Sequence, residues 1–182
     1  MKIAVVGRGN VGGGLAKRWR EAGHEVVEIG REGGDTEGAE AVLLAVPSGE
    51  IADALAKVTG LEGTPVLDAT NLVRGDRPAG FDSLAEYVQS LTGGPVAKAF
   101  NANFATLYDR LSAARTPPTN VYASDEEIRA LTEELIRDAG YEPFCIGELD
   151  RARAVEDFLG VLIGCAQEVG PVWYRIAPPD SF

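Results

Sequence analysis

The chain has one histidine, two cysteines and one methionine among its 182 residues. A single imidazole excludes a metal site built on histidines, and no such site is expected. Cys145 and Cys165 lack metal or redox spacing, so both are expected to be buried, reduced thiols. No apolar run reaches the roughly 18 residues that span a bilayer. Met1-Lys2-Ile3-Ala4 meets glycines at once, without the apolar stretch of a signal peptide, and a cytoplasmic location is expected. Basic residues are also scarce. Seventeen Lys and Arg face 28 Asp and Glu, a net charge of −11. Nucleic acid and an anionic membrane surface are therefore not expected as partners. A small anion is not excluded, because one local cationic pocket suffices for it. Repeats, low-complexity stretches and linkers are missing too. The length suits one domain with a sizeable core, or one domain plus a small extension.

What is present is an alternation of short apolar runs with helical patterns. The runs are Lys2 to Val6, Glu25 to Ile29, Ala41 to Val46, Pro65 to Leu67, Val96 to Phe100, Val121 to Ala123 and Pro143 to Ile146. Runs this short and this apolar suit strands buried on both faces. Between them, Val11, Leu15 and Trp19 make one helical stripe, and Ile51, Leu55 and Val58 another. Ser124-Asp125-Glu126-Glu127 reads as a capping-box start for a helix with Leu131, Leu135 and Ile136 on its apolar face, closed by Gly140. Ala154 to Gln167 reads as a largely buried helix. This order predicts an α/β fold, a Rossmann-like doubly wound, mainly parallel sheet with helices on both faces. Two long loops, Asn71 to Asp82 and Ala113 to Asn120, stand out, since loops at the carboxyl ends of such strands build sites.

The first of these turns carries chemistry. Gly7-Arg8-Gly9-Asn10-Val11-Gly12 fits G-x-G-x-x-G, follows an apolar strand and opens an amphipathic helix. Gly7 allows the tight turn, Gly9 lets a pyrophosphate approach the backbone, and Gly12 lets the helix pack close to the sheet. Free N–H groups and the helix dipole then face the phosphates. Residues 1–150 are thus expected to form a dinucleotide-binding domain, with 151–182 a helical extension packed on it.

The end of the second strand selects the dinucleotide. An acidic side chain there binds the ribose hydroxyls of NAD. Here the place reads Glu28-Ile29-Gly30-Arg31. Gly30 leaves room for a 2′-phosphate, and the Arg31 guanidinium can bind it bidentately, with Arg8 helping from the first loop. That favours NADP. Glu28 is the alternative ribose ligand if the strand ends earlier, which favours NAD, and Glu32 dilutes the local positive charge. Further on, Ala45-Val46-Pro47 falls where the chain passes the nicotinamide ribose. Asn71 and Asn101, after the fourth and fifth strands, either face one cleft or cap loops. Lys98 is a salt-bridge partner rather than a catalyst, and His24 is a turn residue.

Taken together, these residues resemble the NADPH-dependent reductases of the deazaflavin coenzyme F-420, and the related cytosolic domain of metalloreductases. The matching stretches are Gly7 to Gly12, Gly23 to Val27, Ala45-Val46-Pro47, Asp68 to Asn71 and Val96 to Asn101. Ala139 to Pro143, Gly147-Glu148-Leu149 and Ala152 to Glu156 continue the likeness to about residue 170. The resemblance implies hydride transfer between NADPH and a flavin-like or deazaflavin ring, 2′-phosphate binding at Gly30 and Arg31, and a homodimer. Three features depart from it. Gly30 replaces a hydroxyl residue, no lysine or second arginine follows Arg31, and the end from Val172 to Phe182 differs. A catalytic acid is not named, because hydride transfer between two rings needs juxtaposition and exclusion of water. Two other readings stand beside it: an NADP-linked reductase of a small imine, carbonyl or ferric chelate, and a non-catalytic module that binds NADP(H) as a sensor.

Overall fold

The computed structural model describes residues 1–73 and 75–179. In chain order its strands and helices begin β1 Lys2–Val6, α1 Asn10–Glu21, β2 Glu25–Ile29, β3 Gly34–Asp35, β4 Ala41–Leu44, α2 Ile51–Leu55, β5 Val58–Thr59 and β6 Val66–Asp68, with no helix between β2 and β4. Then come α3 Leu84–Thr92, β7 Val96–Lys98, β8 Thr119–Ser124, α4 Arg129–Asp138, β9 Glu142–Cys145 and α5 Ala152–Val169. Seven strands form one sheet in the order β2-β1-β4-β6-β7-β8-β9. All pairings in it are parallel except β7 with β8. The sheet is Rossmann-like, as the alternation predicts. β3 and β5 make a separate two-stranded parallel ladder.

Alternate residues of the inner strands feed two cores, one on each face, whereas the edge strands β2 and β9 are not buried on both faces as their apolar runs predict. On one face Ile3, Val5, Leu43 and Leu67 pack with Leu15 and Trp19 of α1 and Leu135 and Ile136 of α4. On the other, Ala4, Val42, Leu44 and Val66 pack with Ile51 of α2, Leu84 and Val88 of α3, and Val155 and Leu162 of α5. Strands buried on both faces cannot alternate polar with apolar, which explains why they read as continuous apolar runs. Trp19 shows how tightly α1 is set. Its indole N–H donates to the Leu135 carbonyl at 2.9 Å, and its ring meets Phe100 edge-on at 5.7 Å.

Several expectations need correction. β4 ends at Leu44 and β7 at Lys98, each two residues early. Beyond them the chain must turn, and Phe100 takes a left-handed φ of 64°. Val58 belongs to β5 instead of the helix begun at Ile51. Ser124 stays in β8 and caps nothing. Asp125 instead accepts from the Val96 N–H at 2.8 Å and from Gln89 Nε2 at 2.7 Å, and α4 starts after a 3-10 turn. The reciprocal capping box is at Ser83 and Glu86, at the head of α3, a helix that the sequence pattern did not single out. α5 is buried along one stripe only, with Val161, Ile163 and Val169 exposed. The thiols are free but not both buried: Cys145 is half-buried and Cys165 exposed. In the extension, residues 180–182 lie outside the described residues. No helix among those described is long and apolar enough to cross a membrane.

Candidate functional site

The strand order reverses beside β1, whose neighbours β2 and β4 leave on opposite sides. A crevice opens at such a point, at the carboxyl ends of the strands. It is a cavity of about 760 Å³, lined by Val6, Gly7, Arg8 and Gly9 after β1, Gly30, Arg31 and Glu32 after β2, and Ala45, Val46 and Pro47 after β4. Glu50, Asp53, Ala54 and Lys57 close the far wall. That volume lies in the range of small-molecule and cofactor sites.

The three glycines of the first turn are glycines for three different reasons. Gly7 has φ 107° and donates to the Ile29 carbonyl at 2.9 Å, so the chain folds tightly between the ends of β2 and β4. A Cβ there would overlap the Ala45 carbonyl. At Gly12 a Cβ would collide with the Gly7 carbonyl, which keeps α1 close to the sheet. Gly9 is the opposite case: a Cβ would meet nothing within 4 Å. The backbone is therefore bare where the cavity opens. No side chain caps α1, and its first turn holds no carboxylate. By contrast, α3 is closed by the Ser83–Glu86 box. An uncapped helix start facing a cavity offers N–H donors and a positive dipole end to an anion. The residues present thus fit a dinucleotide's diphosphate.

At the end of β2 the arrangement is more specific than the sequence suggests. The Arg8 guanidinium lies over Gly30, so that a Cβ on residue 30 would fall within it, and it pairs with Glu32. Gly30 is therefore a resting place for an arginine that arrives from the first loop. Arg31 projects into solvent, 91% exposed, and lies 3.9 Å from Glu50. The Glu32 backbone N–H, and after it the Arg8 charge, hold the Glu32 carboxyl below its usual range. Glu28, the alternative ribose ligand, bonds Arg20 at 2.7 Å and does not line the cavity. Three cations (Arg8, Arg31, Lys57) and three carboxylates (Glu32, Glu50, Asp53) border the space.

Other predicted site residues lie outside the cavity lining. Asn10, Val11 and Gly12 form the first turn of α1. Asn71 and Asn101 turn to each other. Asn71 Nδ2 donates to the Asn101 carbonyl at 2.9 Å, and Asn101 Nδ2 to Asn71 Oδ1 at 3.2 Å and to the Val155 carbonyl at 3.2 Å. They tie the chain after β6 to the chain after β7 and to α5. Lys98 is wholly buried. Its ammonium meets Asp68 at 2.8 Å, the Thr70 carbonyl at 2.7 Å and Glu156 at 3.3 Å. Glu156 in turn accepts from the Leu84 and Ala85 N–H groups and from Arg77. The salt-bridge reading of Lys98 is the one observed. His24 bonds Asp138 at 2.7 Å, far from the crevice in the fold. Tyr122 bonds Glu133, and burial, then that bond, push its hydroxyl well above the usual tyrosine range. Trp173 and Tyr174 do not line the cavity. Tyr174 packs edge-on to Phe158, and its hydroxyl accepts from the Val121 N–H at 3.1 Å.

No family model matches the sequence, and no curated protein matches it. Solved structures do. One is a protein provisionally named an F-420-dependent NADP reductase, from Arthrobacter sp. FB24. It has 24% identity and a TM-score of 0.80, with 98% of this chain and 100% of that chain covered. Another is a hypothetical protein from Sinorhizobium meliloti, at 22% identity and a TM-score of 0.68, with 97% and 94% covered. A third is a reductive aminase from Aspergillus terreus in complex with NADPH and ethyl levulinate, at 16% identity and a TM-score of 0.65. It covers 90% of this chain, which spans only 60% of that longer one. At these identities the likeness is one of fold, and the first of the three agrees with the resemblance seen in the sequence.

Proposed function

We propose that this protein is an NADP-dependent oxidoreductase that passes a hydride between NADPH and a flavin-like or deazaflavin ring of the coenzyme F-420 class. The observation that carries the reading is the cavity at the switch point. Its floor is a bare glycine turn under an uncapped helix, and its selector place is filled by an arginine guanidinium instead of a carboxylate.

NADPH, when bound, supplies the hydride from its nicotinamide ring. The residues of this chain bind, orient and exclude water. The Gly7–Gly12 turn offers backbone N–H groups to the diphosphate. Arg8, over Gly30, offers a planar fork to the 2′-phosphate, with Arg31 beside it. Ala45, Val46 and Pro47 give an apolar wall where the ribose and nicotinamide pass, which keeps water from the transferring hydride. The side chains best suited to move a proton are engaged elsewhere, Lys98 in its buried cluster and Tyr122 with Glu133. This supports an acceptor that needs juxtaposition more than a positioned acid.

Two measurements test the reading. Fluorescence titration should give NADPH a dissociation constant well below about 1 mM, tighter than NADH. Absorbance at the nicotinamide band should then fall faster when F-420 or FMN is added. Turnover only with an imine, a ketone or a ferric chelate would move the acceptor to another class. Tight binding without turnover on any acceptor would leave a sensor module. Failure of both nicotinamides to bind would overturn the reading entirely.

A further inference from the structure

The sequence offers no second cation after Arg31, yet the fold brings one. Lys57 follows α2 and stands 26 residues beyond Arg31, and its ammonium lies 3.5 Å from the Arg31 carbonyl oxygen. The contact is built by the small β3–β5 ladder. Gly34 pairs with Val58 and Asp35 with Thr59. The Gly34 N–H donates to the Lys57 carbonyl at 3.2 Å, the Thr36 N–H to the Thr59 carbonyl at 2.9 Å, and the Thr59 hydroxyl to Asp35 at 3.0 Å. Gly33 takes φ 81° and passes so close that a Cβ would overlap the Lys57 carbonyl. The backbone of Lys57 is thus fixed to the loop that selects the dinucleotide.

Its charge is distinctive as well. Arg8 is neutralised by Glu32, and Arg31 has Glu50 at 3.9 Å. Among the described residues, no carboxylate lies within 4 Å of the Lys57 ammonium, which meets only a backbone carbonyl. Of the three cations that border the cavity, Lys57 is the one whose charge is not already answered. A 2′-phosphate brings close to two negative charges near neutral pH, more than one paired guanidinium answers.

Resting on the NADP reading, we infer that Lys57 is a specificity-determining residue that binds the 2′-phosphate together with Arg8, and that the β3–β5 ladder exists to carry it there. The ladder has two residues in each strand; Gly34, Asp35 and Thr59 are exposed, and Val58 alone joins a core. Its geometric result is the placement of Lys57.

The test uses the intact protein with 2′,5′-ADP and 5′-ADP as calorimetric probes, and NADPH and NADH by fluorescence. Lys57 is exposed, so Lys57→Gln and Lys57→Arg should both fold. Lys57→Gln should weaken 2′,5′-ADP and NADPH by about fivefold, the scale of one charge-assisted hydrogen bond at an exposed site. Affinity for 5′-ADP and NADH should stay within about twofold, Lys57→Arg should restore the preference, and the difference should shrink as salt screens it. Equal weakening of phosphorylated and unphosphorylated probes, or no weakening of either, in a protein whose wild type prefers 2′,5′-ADP, overturns the role of Lys57 alone. A wild type that binds 2′,5′-ADP no better than 5′-ADP overturns the NADP reading, and this inference with it.

Discussion

Two charge clusters stand at the carboxyl edge of the sheet, and both are made of lysine, arginine and carboxylates. One joins Lys98, Asp68, Glu156 and Arg77 beside the ends of β6 and β7. The other joins Arg8, Glu32, Arg31, Glu50 and Lys57 beyond β2. Burial separates them. Lys98 and Asp68 have no exposed side-chain surface, and Glu156 has 4%, whereas Arg8 and Glu32 expose 50% and 65%. Buried charges persist only when every one is answered, and here the ammonium has three partners and Glu156 has both oxygens occupied. Exposed pairs are worth little and exchange partners readily. The buried cluster therefore holds structure, and on the NADP reading the exposed cluster trades a carboxylate for a phosphate. Residue type alone does not tell a structural lysine from a binding one.

The sharpest way to break this comparison is Lys98→Met. It leaves the buried Asp68 carboxylate without its cation and Glu156 with Arg77 alone, and should cost about 3–5 kcal/mol in denaturant unfolding. NADPH affinity of the folded protein should change little. A variant of normal stability that had lost turnover would make Lys98 catalytic and overturn the division.

A second prediction lies at the glycine turn that carries Arg8 of the exposed cluster. Gly12→Ala forces a methyl against the Gly7 carbonyl, and overpacking of this kind costs about 1–3 kcal/mol. It should weaken NADPH and NADH alike, because the diphosphate is common to both. Weakening of only one would show that the turn also reads the 2′ position.

How much of this was legible in the sequence differs along the chain in the same way. β1 and β2 have the bounds read from apolar runs, α1 carries the expected Val11, Leu15 and Trp19 stripe, and the need for glycine at 7 and 12 follows from a local motif, although Gly7 also meets Ile29 and Ala45 across the sheet. α3 was missed because its capping box follows a long Gly- and Pro-containing loop and its apolar stripe is short. β3 and β5 were missed because two-residue strands of Gly-Asp and Val-Thr carry no period. At the site, the pairing of Arg8 with Gly30 and the approach of Lys57 to Arg31 join residues more than 20 positions apart. Sequence reading placed Arg31 as the main phosphate ligand. The structure lays the Arg8 guanidinium over Gly30, which has no side chain to keep it out, and leaves the Arg31 side chain 91% exposed.

Arg8→Ala sharpens the exposed side of the comparison. It should weaken NADPH by roughly tenfold, the value of a charge-assisted contact, and leave NADH within about twofold. Gly30→Val should act in the same direction through displacement, since its Cβ would occupy the guanidinium's place and it brings no hydroxyl of the kind the resembling reductases carry there. Neither change should move the unfolding midpoint as Lys98→Met does, and fluorescence titration beside a denaturant curve separates the two.

The smallest expected effect is the most telling about exchange. Glu32 pairs with Arg8, and its carboxyl, ionised at neutral pH like any exposed glutamate, is held lower still by its backbone N–H and then by Arg8. On the NADP reading the 2′-phosphate competes with it for Arg8. Glu32→Gln keeps the shape and removes the competing charge, so NADPH should bind about two- to threefold tighter, in keeping with the small worth of an exposed ion pair. NADH, which brings nothing to that place, should be unaffected, and the advantage should fade at high salt. Were Glu32→Gln instead to weaken NADPH, Glu32 would be bonding the ribose hydroxyls itself, and the exposed cluster would be a fixed NAD-type site rather than an exchangeable one.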